Sequence, residues 1–339
     1  MPTKRVSERL TWLAFALAAA ASAIAQEPRQ WLERMNQALT SRNYDGVFAH
    51  WQDGRVEMLR IIHRNVNGQV TERLASLDGS GREFIRNGAE LSCYLPDKRT
   101  VLVSHSASSA SLLTSIPAID NKSAAFYDIE EVMRTRVNRR DTRVIAVTPR
   151  DEFRYGYRLW IDESTAMPLK TQLCDAHGRV IEQVVFANLE LANRIPDSAF
   201  RPDVATDGYQ WVRNDPTSAV SAGLPNLSAL WSALRLPPGF RMTVRSAQLL
   251  PGAHDPVAHL VFTDGLASVS VFVESGFAAP ADQQTVAGVA SVGSASAFTT
   301  VIDGHKVTAV GEVPPNTVRF IATSVTKSEP AVAVGSPGH

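Results

Sequence analysis

The stretch RYGYRLWIDESTAMPLKTQLCDAHG, residues 154–178, decides the fold class. Read in twos, Tyr155, Tyr157, Leu159 and Ile161 fall on one side, and Arg154, Arg158 and Asp162 on the other. A short polar turn follows, after which Leu169, Thr171 and Leu173 alternate with Lys170 and Gln172. A period of two across a polar turn predicts a β-hairpin with one apolar face. Nothing in the hairpin looks like a catalyst, so the question becomes what such a sheet covers.

The same period extends outward from the hairpin. GVFAHW, RVEMLRIIHR, QVTERLASLDG, REFIRNG, ELSCYLPD and RTVLVS follow one another from residue 46 onward, with turns at Asp53-Gly54, Asn67-Gly68 and Asn87-Gly88. This predicts a long antiparallel meander. Before it, residues 27–42 carry Leu32, Met35 and Leu39 at helical spacing behind a proline, which predicts a helix. Residues 107–133 hold scattered apolar side chains, among them Leu112, Leu113 and Ile116, and read as helix or loop. Sheet then resumes with RVIAVTP, the hairpin and RVIEQVVFANLEL. Some strands are apolar on both faces: RVEMLRIIHR has Met58 and Ile62 on one side, Leu59 and Ile61 on the other. A flat sheet with one wet face does not read this way, whereas a curved or covered one does. A filled core and an apolar ligand cavity fit the pattern equally. Met58, Ile62, Leu112, Leu113, Ile116, Tyr157 and Leu159 are the candidates for lining such a cavity.

Residues 199–228 are rich in Pro, Asp, Ser, Ala and Gly without a sustained period, and read as a connector. It divides a first unit, 26–198, from a smaller α+β unit, 229–328, and residues 329–339 read as a disordered tail. In the second unit Asp303-Gly304 marks a tight hairpin. Pro314 and Pro315 open a closing helix whose inner stripe is Val318, Ile321 and Val325.

At the start, Lys4, Arg5 and Arg9 precede an apolar run from Leu10 to about Ala21 and the small-residue pattern Ala23-Ile24-Ala25. This is the pattern of a secretory signal peptide cleaved after Ala25, and it points to the periplasm; an anchoring helix is the alternative. The 34 basic and 34 acidic residues of the 339-residue chain balance, and removing residues 1–25 leaves a small negative excess. Such a balance argues against a nucleic-acid partner. Cys93 and Cys174 would share an oxidising compartment. The pattern nevertheless puts Cys93 with Leu91 and Leu95 on an apolar face, and Cys174 with Lys170 and Gln172 on a polar one. Their strands sit about four apart in a simple meander, roughly 19 Å where a bridge needs about 7 Å, so the pattern argues against a disulfide while the compartment favours one, and both readings stay open.

No phosphate loop, nucleophile elbow, dinucleotide fingerprint or zinc helix is present, so neither catalytic, cofactor nor metal residues are assigned. His254 and His259 lie five apart across a proline-containing loop and lack ligand spacing on one helix. One charge cluster is conspicuous: Arg134, Arg136, Arg139, Arg140 and Arg143 fall within ten residues, relieved only by Asp141. It fits a solvated strand edge and turn. It also fits an anion or partner contact, since guanidinium forks bind phosphates and carboxylates bidentately.

The run from Pro149 to Asp162, PRDEFRYGYRLWID, and the following MPLKTQLCDAHGRVIEQVVF resemble the RseB/MucB family of periplasmic sigma-E regulators. MNQALTSRNYDGVF (35–48), LPPGF (236–240) and GEVPPNTVRFIA (311–322) are similar to further segments of that family in the same order. The resemblance implies an α+β fold: an unclosed antiparallel β-barrel like the lipoprotein carriers LolA and LolB, with plugging helices, plus a small α+β domain. It implies a protein that binds the periplasmic domain of a membrane-spanning anti-sigma factor, shields it from a DegS-type protease, and lets go on sensing lipopolysaccharide or lipid acyl chains. Association with the inner membrane would then be peripheral, through the partner. A periplasmic lipid or lipoprotein carrier is the competing function, and a hydrolase assembled from distant residues a third.

Overall fold

The computed structural model describes residues 27–105, 111–113, 123–214, 231–248, 255–275 and 288–327. The signal-like segment 1–25, the tail 329–339 and Ile116 lie outside these residues. Helix α1, Pro28–Ser41, opens with a proline whose missing N–H costs a first helical turn nothing. Trp31, Leu32, Met35, Ala38 and Leu39 recur at helical spacing and are its buried residues.

The first sheet has twelve strands: β1 Tyr44–Gln52, β2 Arg55–Val66, β3 Gln69–Ser76, β4 Glu83–Asn87, β5 Glu90–Leu95, β6 Thr100–His105, β7 Tyr127–Val137, β8 Arg140–Pro149, β9 Gly156–Asp162, β10 Pro168–Cys174, β11 Val180–Leu191 and β12 Gln210–Asn214. Two meanders, β1–β6 and β7–β11, join where β1 pairs antiparallel with β11. The edges are β7 and β12, and they are not paired with each other, so among the described residues no closed barrel forms. Asp53, Asn67 and their following glycines all have positive φ, as two-residue hairpin turns require.

The sheet is strongly curved. Its β7–β8 turn stands three strand spacings from β11, roughly 14 Å if flat, yet Asn138 Nδ2 donates to the Phe186 carbonyl at 2.5 Å. The acceptor is available because Ala187 is an extra residue in the β1–β11 register, between the pairs Val47–Asn188 and Phe48–Phe186. Asn138 and Arg139 both sit at positive φ, a conformation asparagine tolerates well. Gly46 makes room for the curl, since a Cβ there would meet the Phe186 ring at 2.7 Å.

The second sheet is separate and wholly antiparallel, in the order β14-β15-β16-β19-β18-β17. Its strands are β14 Arg241–Gln248, β15 Val257–Thr263, β16 Ser268–Glu274, β17 Gly288–Val292, β18 Ala295–Ile302 and β19 His305–Gly311. Helix α2, Pro315–Ser324, packs Val318 and Ile321 into its core, and Val325 follows in the same cluster. Strands β13 Trp231–Ala233 and β20 Val325–Lys327 form a small pair beside it.

Several expectations are corrected. Tyr127–Val137 is strand, not helix or loop: Tyr127 and Ile129 face the core while Asp128 and Glu130 alternate with them, and pairing with β8 decides the matter. The connector-like stretch carries structure of its own. Phe200 is buried against Ile62 and Ile195, and β12 adds to β6 in parallel. Cys93 and Cys174 are free thiols, and their strands lie six spacings apart rather than four, because the second meander joins through β11. Cys174 is buried, not on a wet face, and Ser92 and Tyr94 take the buried side of β5 in place of Cys93.

Candidate functional site

Alternation along the curled sheet puts one set of side chains inside, where α1 lies across them. Phe48, Ile61, Tyr127, Ile145, Val147, Leu159, Val184 and Phe186 meet Trp31, Leu32, Met35 and Leu39 in one cluster. Of the proposed cavity residues, Leu159 and Leu113 belong to this interior, and Leu112 and Tyr157 pack against it. Met58 and Ile62 do not, and their grouping with Tyr157 and Leu159 is corrected. They share the opposite face of β2, where Met58 is exposed and Ile62 packs with Ile195 and Phe200. A double-apolar strand has no pattern to say which side is inside; the contacts of Leu59 and Ile61 say so.

The interior face continues past the helix. Strand register links Ile61 to Leu74, Leu74 to Phe84, Phe84 to Cys93, Cys93 to Leu102 and Leu102 to Val212. Phe84, Leu102 and Val212 remain 36–41% exposed. An apolar row this exposed on one sheet face is a candidate contact surface. The signal was present in REFIRNG and RTVLVS, but only the register shows that they prolong the Ile61 face. Glu72 lies buried on this face, accepting from Ser111 Oγ at 2.6 Å and from the Leu112 amide at 3.0 Å.

The arginine cluster is the β7–β8 hairpin, and carboxylates already occupy most of it. Arg134 and Arg143 each bond Glu131 at 2.8 Å, Arg136 bonds Asp141 at 2.6 Å, and Arg140 bonds Asp162 at 2.8 Å. Burial works against the Glu131 charge, yet Arg134 and Arg143 hold its carboxyl below the ordinary value. Asp162, likewise buried, is held low by bonds from Ser164, Thr165 and Arg140. Among the described residues only Arg139 of the five has no carboxylate within reach. It lines an open pocket of about 340 Å³ with Asn138, Arg140, Leu169, Phe186, Asn188 and Leu189, more polar than apolar and with a basic rim.

The two sheets meet at a junction that sequence reading missed. Arg154, placed by alternation on the wet side of its strand, is fully buried. It donates to Asp151 at 3.1 Å, to Asp264 of the second sheet's β15–β16 turn at 2.9 Å, and to the Pro238 carbonyl. The Thr317 hydroxyl of α2 donates to the Phe153 carbonyl at 2.7 Å, and Phe153 meets Phe320 edge-on at 5.2 Å. The Gly293 amide donates to Asp53 at 2.7 Å. Nearby, His50 and Gln52 bond Glu182 at 3.0 and 3.2 Å. Burial, and then the Glu182 charge, push the Glu312 carboxyl up. Among the described residues no group of three or more His, Cys, Asp or Glu is placed to hold a metal ion.

A covered apolar concavity, a partly exposed extension of it and a second sheet docked by buried polar contacts define a binding protein of two β-rich units. The chain belongs to the MucB/RseB family: the model of the MucB/RseB N-terminal domain matches residues 27–204 and that of the C-terminal domain residues 225–326. It is 31% identical to the sigma factor AlgU regulatory protein MucB of Pseudomonas aeruginosa, over 89% of this chain and 91% of that protein. With the sigma-E factor regulatory protein RseB of Salmonella typhimurium it shares 30% identity over 87% and 89%. Among solved structures, MucB in complex with the periplasmic part of MucA matches with a TM-score of 0.69 at 30% identity, covering 90% of this chain and all of that one. MucB alone matches with a TM-score of 0.58 at 29% identity, covering 89% and 98%.

Proposed function

We propose that this chain is a negative regulator of sigma-E-type signalling that binds the periplasmic region of a membrane-spanning anti-sigma factor and shields it from a DegS-type protease. The observation that carries this reading is the match, in order and over nearly all of both chains, to MucB held by periplasmic MucA. In this reading the first unit, 26–198, is a LolA-like half-barrel plugged by α1, and residues 229–328 form the docking unit beyond the connector. The protein works in the periplasm once residues 1–25 are removed, and reaches the inner membrane only through its partner. Titration calorimetry with the periplasmic domain of MucA tests this directly. One-to-one binding at micromolar Kd or tighter, about −8 kcal/mol or better, is expected; no heat and no complex at higher concentration would refute it.

Release on a lipid signal is the finer part of the proposal. An acyl chain laid along Phe84, Leu102 and Val212 gains about 25 cal/mol for each Å² of apolar surface taken from water. Arg139 at the basic rim is the contact for an anionic headgroup. A tenfold loss of affinity for the anti-sigma segment needs only about 1.4 kcal/mol of coupling to the lipid. The open row also favours a second reading, a lipid or lipoprotein carrier, in which the same surface serves transport.

A further inference from the structure

The junction between the sheets holds a charged group in an unusual place. Arg154 is 0% exposed, as is its partner carboxylate on Asp264. Phe126, Tyr127 and Phe240 surround the guanidinium at 4.7–5.8 Å. Phe126 and Tyr127 come from the first sheet's side, Phe240 and Asp264 from the second. The fit across the junction is tight. A Cβ on Gly239 would fall inside contact distance of the Phe126 ring, and one on Gly293 inside that of the Gln52 side chain. Leu266, two residues after Asp264, packs against the first sheet's own core.

Burying such a pair costs nearly as much desolvation as the attraction returns, so it adds little net adhesion. What it does is select. A slip of a few ångströms would strand two charges in an apolar setting, and that cost is large. The chain also superposes differently on its relatives at like identity and coverage: the TM-score is 0.69 with each of two partner-bound MucB structures and 0.58 with MucB alone.

We infer that the Arg154–Asp264 pair fixes the pose of the second sheet against the first, and that this pose is the one that binds the anti-sigma segment. The inference rests on the binding reading above. Arg154 is thus a positioning residue, acting through the junction rather than by touching the partner.

Asp264→Asn is the sharpest test. The asparagine oxygen can still accept the Leu266 and Ala267 amides that Asp264 Oδ1 holds at 2.9 and 2.7 Å, so the turn survives. Its amide nitrogen then faces the guanidinium, donor against donor. Hydrogen exchange on the full mature chain should show the Gly293 amide exchanging about tenfold faster, while amides within β15 and β16 keep their protection. Affinity for the MucA periplasmic domain should fall about tenfold or more. Arg154→Met is judged by the same two readouts if the first variant does not fold. Faster junction exchange with affinity within about twofold of the parent would overturn the link between pose and binding. Unchanged exchange would overturn the role of the pair itself. Should the parent not bind MucA, the binding reading fails, while the exchange result still judges whether the pair holds the pose.

Discussion

Glu312 follows β19 in the second sheet, yet its carboxyl faces the first. Burial and the neighbouring Glu182 push it above its ordinary value of 4.5. The folded state therefore holds this proton more tightly than the unfolded chain does. Its share of stability is complete below 4.5 and drains away as pH climbs through the raised folded value. The His50–Glu182 bond, which raises the His50 value against burial, drains in the same direction as pH passes that histidine. Glu312→Gln should thus stabilise the protein near pH 7.5 and flatten the loss of stability between about pH 5 and about 7.5. Urea unfolding at the two pH values checks this; a variant less stable than the parent at the higher pH contradicts it. Neither Glu312 nor Arg154 could have been singled out from the sequence. Alternation assigned Arg154 to solvent because a period of two reports only on a strand's own sheet, and the second sheet covers its other side.

At the scale of elements, local period was a sound guide wherever one face alone is buried. The face of α1 follows directly from the spacing of Leu32, Met35 and Leu39. The hairpin of β9 and β10 pairs Leu159 with Thr171 and Tyr157 with Leu173, as its alternation foretold. It failed where partners from far along the chain decide. Strand β12 is a short parallel addition to β6 across more than a hundred residues, and no local pattern announces that. Strand β2, apolar on both sides, left Met58 and Ile62 on the wrong face until the contacts of Ile61 were known. The row from Ile61 to Val212 is visible only through five register pairs in sequence. Its prediction belongs here: Phe84→Glu with Leu102→Glu should abolish capture of an acyl chain from phospholipid vesicles, as read by native mass spectrometry. Both side chains are already partly exposed, so the fold should tolerate the change. Equal lipid occupancy in the variant and the parent would remove this row from the account.

The whole molecule is two β-rich units whose interiors form two clusters, joined through polar and aromatic contacts and through Leu266 of the second unit, which packs against the first core. Junctions of this kind permit relative motion of the units unless something specific holds them. Binding and release then become a matter of pose and of covered apolar surface, which suits a regulator that works by differential affinity. The central claim is that the folded chain withholds an anti-sigma segment from a protease until lipid intervenes. The direct measurement is the rate at which a DegS-type protease cuts the periplasmic region of the anti-sigma factor, with saturating mature protein, before and after adding lipopolysaccharide. The account predicts cleavage slowed about tenfold or more by the protein and restored by the lipid; cleavage at one rate with and without the protein would contradict it.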